Sequence, residues 1–212
     1  MSARSRVLFP RFMDVSQLPR VLFLLDSFAY LRARWGRECY LQQVLEHLFY
    51  AGIDAIAIVL GGASVIPGDY ERMFELASRR FDMRSLSRVV VVSMGNDLIA
   101  STRPITLQAD APPLVIAGLL QLRACFERAQ VSLVYGGSGG TWGFPQEITT
   151  HYDECVSAVI AGVSSGFSYV TSGAAELRGV QPQDSIGHLS VADAYASGRL
   201  LLGCVFPARS KL

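Results

Sequence analysis

The chain has 212 residues, 50% of them hydrophobic, and a formal net charge of +1. That is enough apolar material for one well-buried core, and a near-neutral balance excludes recognition of nucleic acid or an anionic membrane by bulk charge. Cys39, Cys125, Cys155 and Cys204 are scattered without a C-x-x-C pair, which excludes a recognisable zinc or disulfide framework and suits a reducing, cytoplasmic compartment.

Residues 1–19 read as an N-terminal arm. Its short apolar piece, Val7-Leu8-Phe9, is cut by Pro10 and lacks the apolar core of a secretion signal. No stretch approaches the ~18 uncharged apolar residues of a spanning helix. Residues 20–212 read as a single domain. A first strand over residues 20–25 runs apolar without a break, Val21-Leu22-Phe23-Leu24-Leu25, into Asp26-Ser27. Such a run suits a strand buried on both faces. Residues 38–50 carry apolar side chains at helical offsets (Tyr40, Leu41, Val44, Leu45, Leu48, Phe49), and Gly52 is a natural stop.

A second strand over 53–60 ends in Gly61-Gly62, and a helix follows over 69–81 with Met73, Phe74 and Leu76 inward. The third strand, 88–94, holds four consecutive valines, Val89 to Val92, and ends in Gly95-Asn96-Asp97. β-branched residues in a row favour extended structure and demand burial. Residues 98–113 read as loop, 114–130 as a long helix, and 131–135 as a fourth strand ending in Gly136-Gly137-Ser138-Gly139-Gly140. A helix over 154–161, a short strand over 167–171, a loop over 172–187 and a terminal helix over 190–202, capped by Ser190, complete the chain. Five strands alternating with helices predict a three-layer α/β/α sandwich on a five-stranded parallel sheet of flavodoxin-like order 2-1-3-4-5.

In such sheets, ligands sit beyond the carboxyl ends of the strands. Ser27, Gly62 and Asn96 each follow a strand there, and His188 lies in the last loop. Serine ester hydrolysis needs a nucleophile, a base and oxyanion donors. Ser27 could attack, His188 could take its proton, and the Ser27 N–H, the Gly62 N–H and the Asn96 amide could donate. Each position alone also has a plain structural reading: Asp-Ser as a turn or cap, Gly62 and Asn96 as turn residues, His188 as a helix-entry residue. The other histidines fit the base less well. His47 lies inside a helix, and His151 reads as preceding one.

These blocks together resemble the SGNH or GDSL-type hydrolases: Leu25-Asp26-Ser27-Phe28, then Leu60-Gly61-Gly62, then Ser93-Met94-Gly95-Asn96-Asp97, then Asp184-Ser185-Ile186-Gly187-His188-Leu189-Ser190. The four naming residues stand in family order over residues 20–202. The resemblance implies a serine esterase or acyl hydrolase acting on a small-molecule ester with no metal or organic cofactor: Ser27 as nucleophile, His188 as base, Asp184 as orienting acid, and Ser27, Gly62 and Asn96 as oxyanion donors. Two positions depart from the family pattern. Leu25 stands where glycine is usual, and Asp184 stands four residues before His188 where three is usual. The site is then a triad with a longer loop, a Ser–His dyad, or a silent binding or scaffold protein on the same fold.

A rival motif is Gly136-Gly137-Ser138-Gly139-Gly140, which satisfies G-x-S-x-G after a strand. Too few residues follow it to complete that kind of hydrolase. Read as a phosphate loop, it lacks the Gly-Lys-Ser/Thr that would hold phosphate. The expectation for residues 136–144 is a mobile loop rimming the pocket, with Trp142 and Phe144 available to substrate.

Overall fold

In the computed structural model, residues 6–8, 18–26, 40–102, 104–140, 143–175, 177 and 194–206 are described. The strand Val21–Leu25 (β2) lies at the centre. It pairs in parallel with Ala55–Val59 (β3) on one side and with Arg88–Ser93 (β4) on the other. Gln130–Tyr135 (β7) pairs with β4, and Tyr169–Thr171 (β8) pairs with β7, both in parallel. The parallel order β3-β2-β4-β7-β8 is the predicted 2-1-3-4-5.

The edge is extended by one more strand. Arg6–Leu8 (β1) pairs antiparallel with β3, making the sheet six-stranded. The apolar piece of the arm thus contributes to the sheet by covering the open edge of β3.

The alternation of side chains along β2 explains the layers. Leu22 and Leu24 enter a core shared with Tyr70, Met73 and Ala77 of helix Asp69–Ser78 (α2), Val115, Leu119 and Leu122 of Ala111–Ala124 (α3), and Tyr152, Val156 and Val159 of Gln146–Val163 (α4). Val21, Phe23 and Leu25 face the other way, onto Leu41, Val44, Leu45 and Leu48 of Tyr40–Tyr50 (α1) and Leu200, Leu201 and Val205 of Ala194–Val205 (α5). All five β2 side chains are buried, each worth about 1.5–3 kcal/mol of transfer free energy.

Several boundaries differ from the sequence expectation. Residues 98–113 are not all loop: Ile99–Thr102 (β5) and Ile105–Leu107 (β6) form an antiparallel hairpin. Helix α3 starts at Ala111, before Pro112 and Pro113, and ends at Ala124. Proline fits a first turn because its missing N–H has no intrahelical partner there. Helix α4 starts at Gln146, eight positions before the expected 154, so His151 lies inside it and not before it. No described helix is long and apolar enough to cross a membrane.

Candidate active site

Register places the site. Leu25 lies opposite both Val59 and Val92, so β2, β3 and β4 end level with one another. Beyond that line the chain turns out at Asp26, at Gly61-Gly62 and at Met94-Gly95-Asn96. Three of the expected blocks therefore leave the sheet side by side, as the order of a parallel sheet requires.

The residue that joins them is Asp26. It is fully buried, at 0% exposure. Its Oδ2 accepts the backbone N–H of Met94 at 2.7 Å and the Asn96 side-chain amide, Nδ2, at 3.2 Å. A buried carboxylate must find donors or neutralise. Asp26 finds them on the next strand, and in doing so ties the end of β2 to the end of β4. The Asn96 amide also donates to the Ala63 carbonyl at 2.9 Å, just past Gly62. Asn96 thus bridges the loops that follow β2 and β3.

A second carboxylate clasps the same loops. Asp97, 5% exposed, accepts from Val65 N and Ile66 N, both at 3.0 Å. Burial pushes its carboxyl up, against the two N–H bonds that favour the charged form. Nearby, Tyr70 donates its hydroxyl to the Val92 carbonyl at 2.8 Å. Burial, reinforced by the Asp26 and Asp97 charges, pushes the Tyr70 phenol well above its ordinary value, so it remains a neutral donor.

Gly62 has φ +73, the left-handed region that a side chain would strain. It is exposed, and among the described residues its N–H meets no acceptor. Asn96 is different: both hydrogens of its amide are already engaged, with Asp26 and with Ala63. Ser27, Asp184 and His188 lie outside the described residues, as do Trp142 and the cap expected at Ser190.

The rival motif is occupied by its own structure. The Gly139 N–H donates to Asp153 Oδ1 at 2.9 Å, and the Ser138 hydroxyl lies 3.5 Å from Asp153 Oδ2. A carboxylate already sits where this loop would hold an anion. Nor does a helix follow Ser138 at once, as a nucleophile elbow needs; α4 begins at Gln146. Phe144 is not held ready for a ligand either. It packs edge-on against Tyr152, ring centroids 5.2 Å apart. His151 is half-exposed and 3.6 Å from Glu154, and His47 is exposed on α1.

Sequence reasoning missed Asp26, Asp97 and Tyr152 as organisers. For Asp26 a signal exists: an acid directly after five buried apolar residues has to be met by buried donors.

The fold is similar to that of several solved structures. The acetylxylan esterase Axe2 from Geobacillus stearothermophilus superposes with a TM-score of 0.61 at 17% identity, covering 91% of this chain and 96% of that one. A lipase/acylhydrolase from Enterococcus faecalis gives 0.55 at 15% identity, over 86% and 93%. TesA gives 0.56 at 20% identity, over 88% and 96%. No protein-family model matches the sequence, and no curated protein matches it. At these identities the likeness is one of fold.

Proposed function

We propose that the protein is a serine esterase or acyl hydrolase whose nucleophile is Ser27. The observation that carries this reading is the level ending of β2, β3 and β4, which sets the residue before Ser27, the backbone N–H of Gly62 and the amide of Asn96 on one edge. In the proposed reaction His188 accepts the Ser27 proton as the hydroxyl attacks the ester carbonyl. The N–H groups of Ser27 and Gly62 and the amide of Asn96 hold the oxyanion. His188 then protonates the leaving alcohol, and water, deprotonated by the same His188, releases the acid. Asp184 orients the imidazole. Axe2, which shares the fold, has catalytic mutants at a serine, a histidine and an aspartate. That supports the Ser–His–Asp assignment by analogy of fold.

One observation favours the second reading, a catalytically silent binding or scaffold protein. Both Asn96 amide hydrogens are taken, by Asp26 at 3.2 Å and Ala63 at 2.9 Å. To serve an oxyanion, Asn96 has to share one of them. A fluorophosphonate probe separates the readings. The enzyme is labelled at Ser27, loses labelling in Ser27→Ala, and turns over short-chain p-nitrophenyl esters. Wild-type protein that stays unlabelled and inert establishes the silent reading.

A further inference from the structure

The Met94 peptide is held from both sides. Asp26 takes its N–H at 2.7 Å. On the other side its carbonyl receives the hydroxyl of Tyr152 at 2.8 Å. The same hydroxyl lies 2.8 Å from the Gly136 carbonyl, so Tyr152 also spans the ends of β4 and β7. Tyr152 comes from the middle of α4 and is fully buried. Phe144 packs edge-on against its ring.

Gly95 lies directly over this hydroxyl. A Cβ built on Gly95 would stand 2.5 Å from the Tyr152 oxygen. Backbone and phenol are in contact with no side chain between, so a movement of the ring is transmitted to the Gly95–Asn96 turn. Asn96, one residue on, carries the amide assigned above to the oxyanion. Its direction is set jointly by that turn and by the Asp26 and Ala63 bonds to its Nδ2.

We infer that Tyr152 is a positioning residue for the Asn96 amide, acting through the Met94 carbonyl and Gly95. The inference rests on the esterase reading for its effect on rate, but the contact it describes does not. The Tyr152 hydroxyl meets the Met94 and Gly136 carbonyls and acts on Asn96 through the first of them. It fixes the height and pitch of the turn, and oxyanion stabilisation is sensitive to donor placement because its strength lies in preorganisation.

The experiment is a double-mutant cycle of Tyr152→Phe with Asn96→Ala, assayed on a p-nitrophenyl ester at a temperature where melting curves show every variant folded. Tyr152→Phe is expected to lower kcat by about tenfold with KM little changed, the pattern of an interaction that matters only in the transition state. In the Asn96→Ala background it is expected to cost nothing more, since the group it positions is gone. Equal losses in both backgrounds overturn the proposal, as does a loss confined to KM. Wild-type protein that hydrolyses no ester overturns the esterase reading only. The positioning claim is then decided without substrate, by NMR hydrogen exchange at the Asn96 side-chain amide and the Met94 N–H. Faster exchange in Tyr152→Phe sustains it, and unchanged exchange overturns it.

Discussion

Asp26 and Asn96 stand 70 residues apart in the chain and are joined by one hydrogen bond of 3.2 Å at the level where the central strands end. The acid of the Asp-Ser pair and the amide of the Gly-Asn-Asp block thus form one unit. Their shared oxygen also holds Met94 N, so Asp26 sets the geometry of the whole β4 turn.

Removing Asp26 should therefore be costly. Asp26→Ala leaves the buried Met94 N–H without its acceptor and leaves the Asn96 amide only its bond to the Ala63 carbonyl. A loss of about 2–3 kcal/mol is expected, in the range for a buried bond to a charged group. Asp26→Asn can still present an oxygen to both donors and should lose roughly half as much. Urea unfolding of the two variants measures the difference.

Gly62 and Gly95 make a matched pair. Their φ angles are +73 and +74, so alanine at either pays the left-handed penalty of about 1–2 kcal/mol. At Gly62 the added Cβ meets nothing within 4 Å, whereas at Gly95 it meets the Tyr152 oxygen at 2.5 Å. That hydroxyl is tied to two carbonyls and cannot withdraw cheaply. Gly95→Ala should destabilise by at least about 3 kcal/mol once overpacking is added, and Gly62→Ala by the backbone term alone. Equal melting temperatures for the two would refute this account of the turn.

The parallel sheet was legible because strands buried on both faces leave continuous apolar runs, as in Val21–Leu25 and Val89–Val92. The hairpin was not legible. Its strands, Ile99–Thr102 and Ile105–Leu107, are short and only partly buried, so their pattern is weak. The first two turns of α4 were missed because Thr149, Thr150, His151 and Asp153 show polar faces, and Tyr152 was lost with them. Gly62 and Asn96 were singled out as candidates from their places after strands. The clasps of Asp26 and Asp97 were not, because their main partners are backbone N–H groups of distant segments, which no side-chain pattern records.

Asp97 should leave a signature in acid. Its carboxyl is pushed up by burial, so the folded protein holds that proton more tightly than the unfolded chain does. The stability this supplies is complete below the unfolded value, about 3.9, and is lost as pH rises through the raised folded value. Asp97→Asn cannot titrate. The stability of wild type relative to Asp97→Asn should therefore fall as pH is raised from about 4 and then level off. Urea midpoints across that range test the sign. A difference that grows with pH would mean that the Val65 and Ile66 N–H groups outweigh burial.

The last prediction concerns Asp184 and His188. In an extended segment, residues four apart point the same way and residues three apart point oppositely. The four-residue Asp184–His188 spacing would place both side chains on one side of an extended segment, and Gly187 is the residue between them with the widest backbone freedom. The proposed role of Asp184 is to receive the Nδ1 proton of His188, leave Nε2 for Ser27, and stabilise the imidazolium as it forms. Asp184→Asn keeps the size of the side chain but can hold the wrong tautomer. It should lower kcat by about 10⁴ while leaving KM and the melting temperature nearly unchanged. His188→Ala should lose at least as much. The pH profile supplies an independent check. A nearby carboxylate raises a histidine pKa, so the rising limb of kcat/KM should move to lower pH in Asp184→Asn. A variant with wild-type turnover and an unmoved limb would identify a Ser–His dyad, with Nδ1 held by some other acceptor.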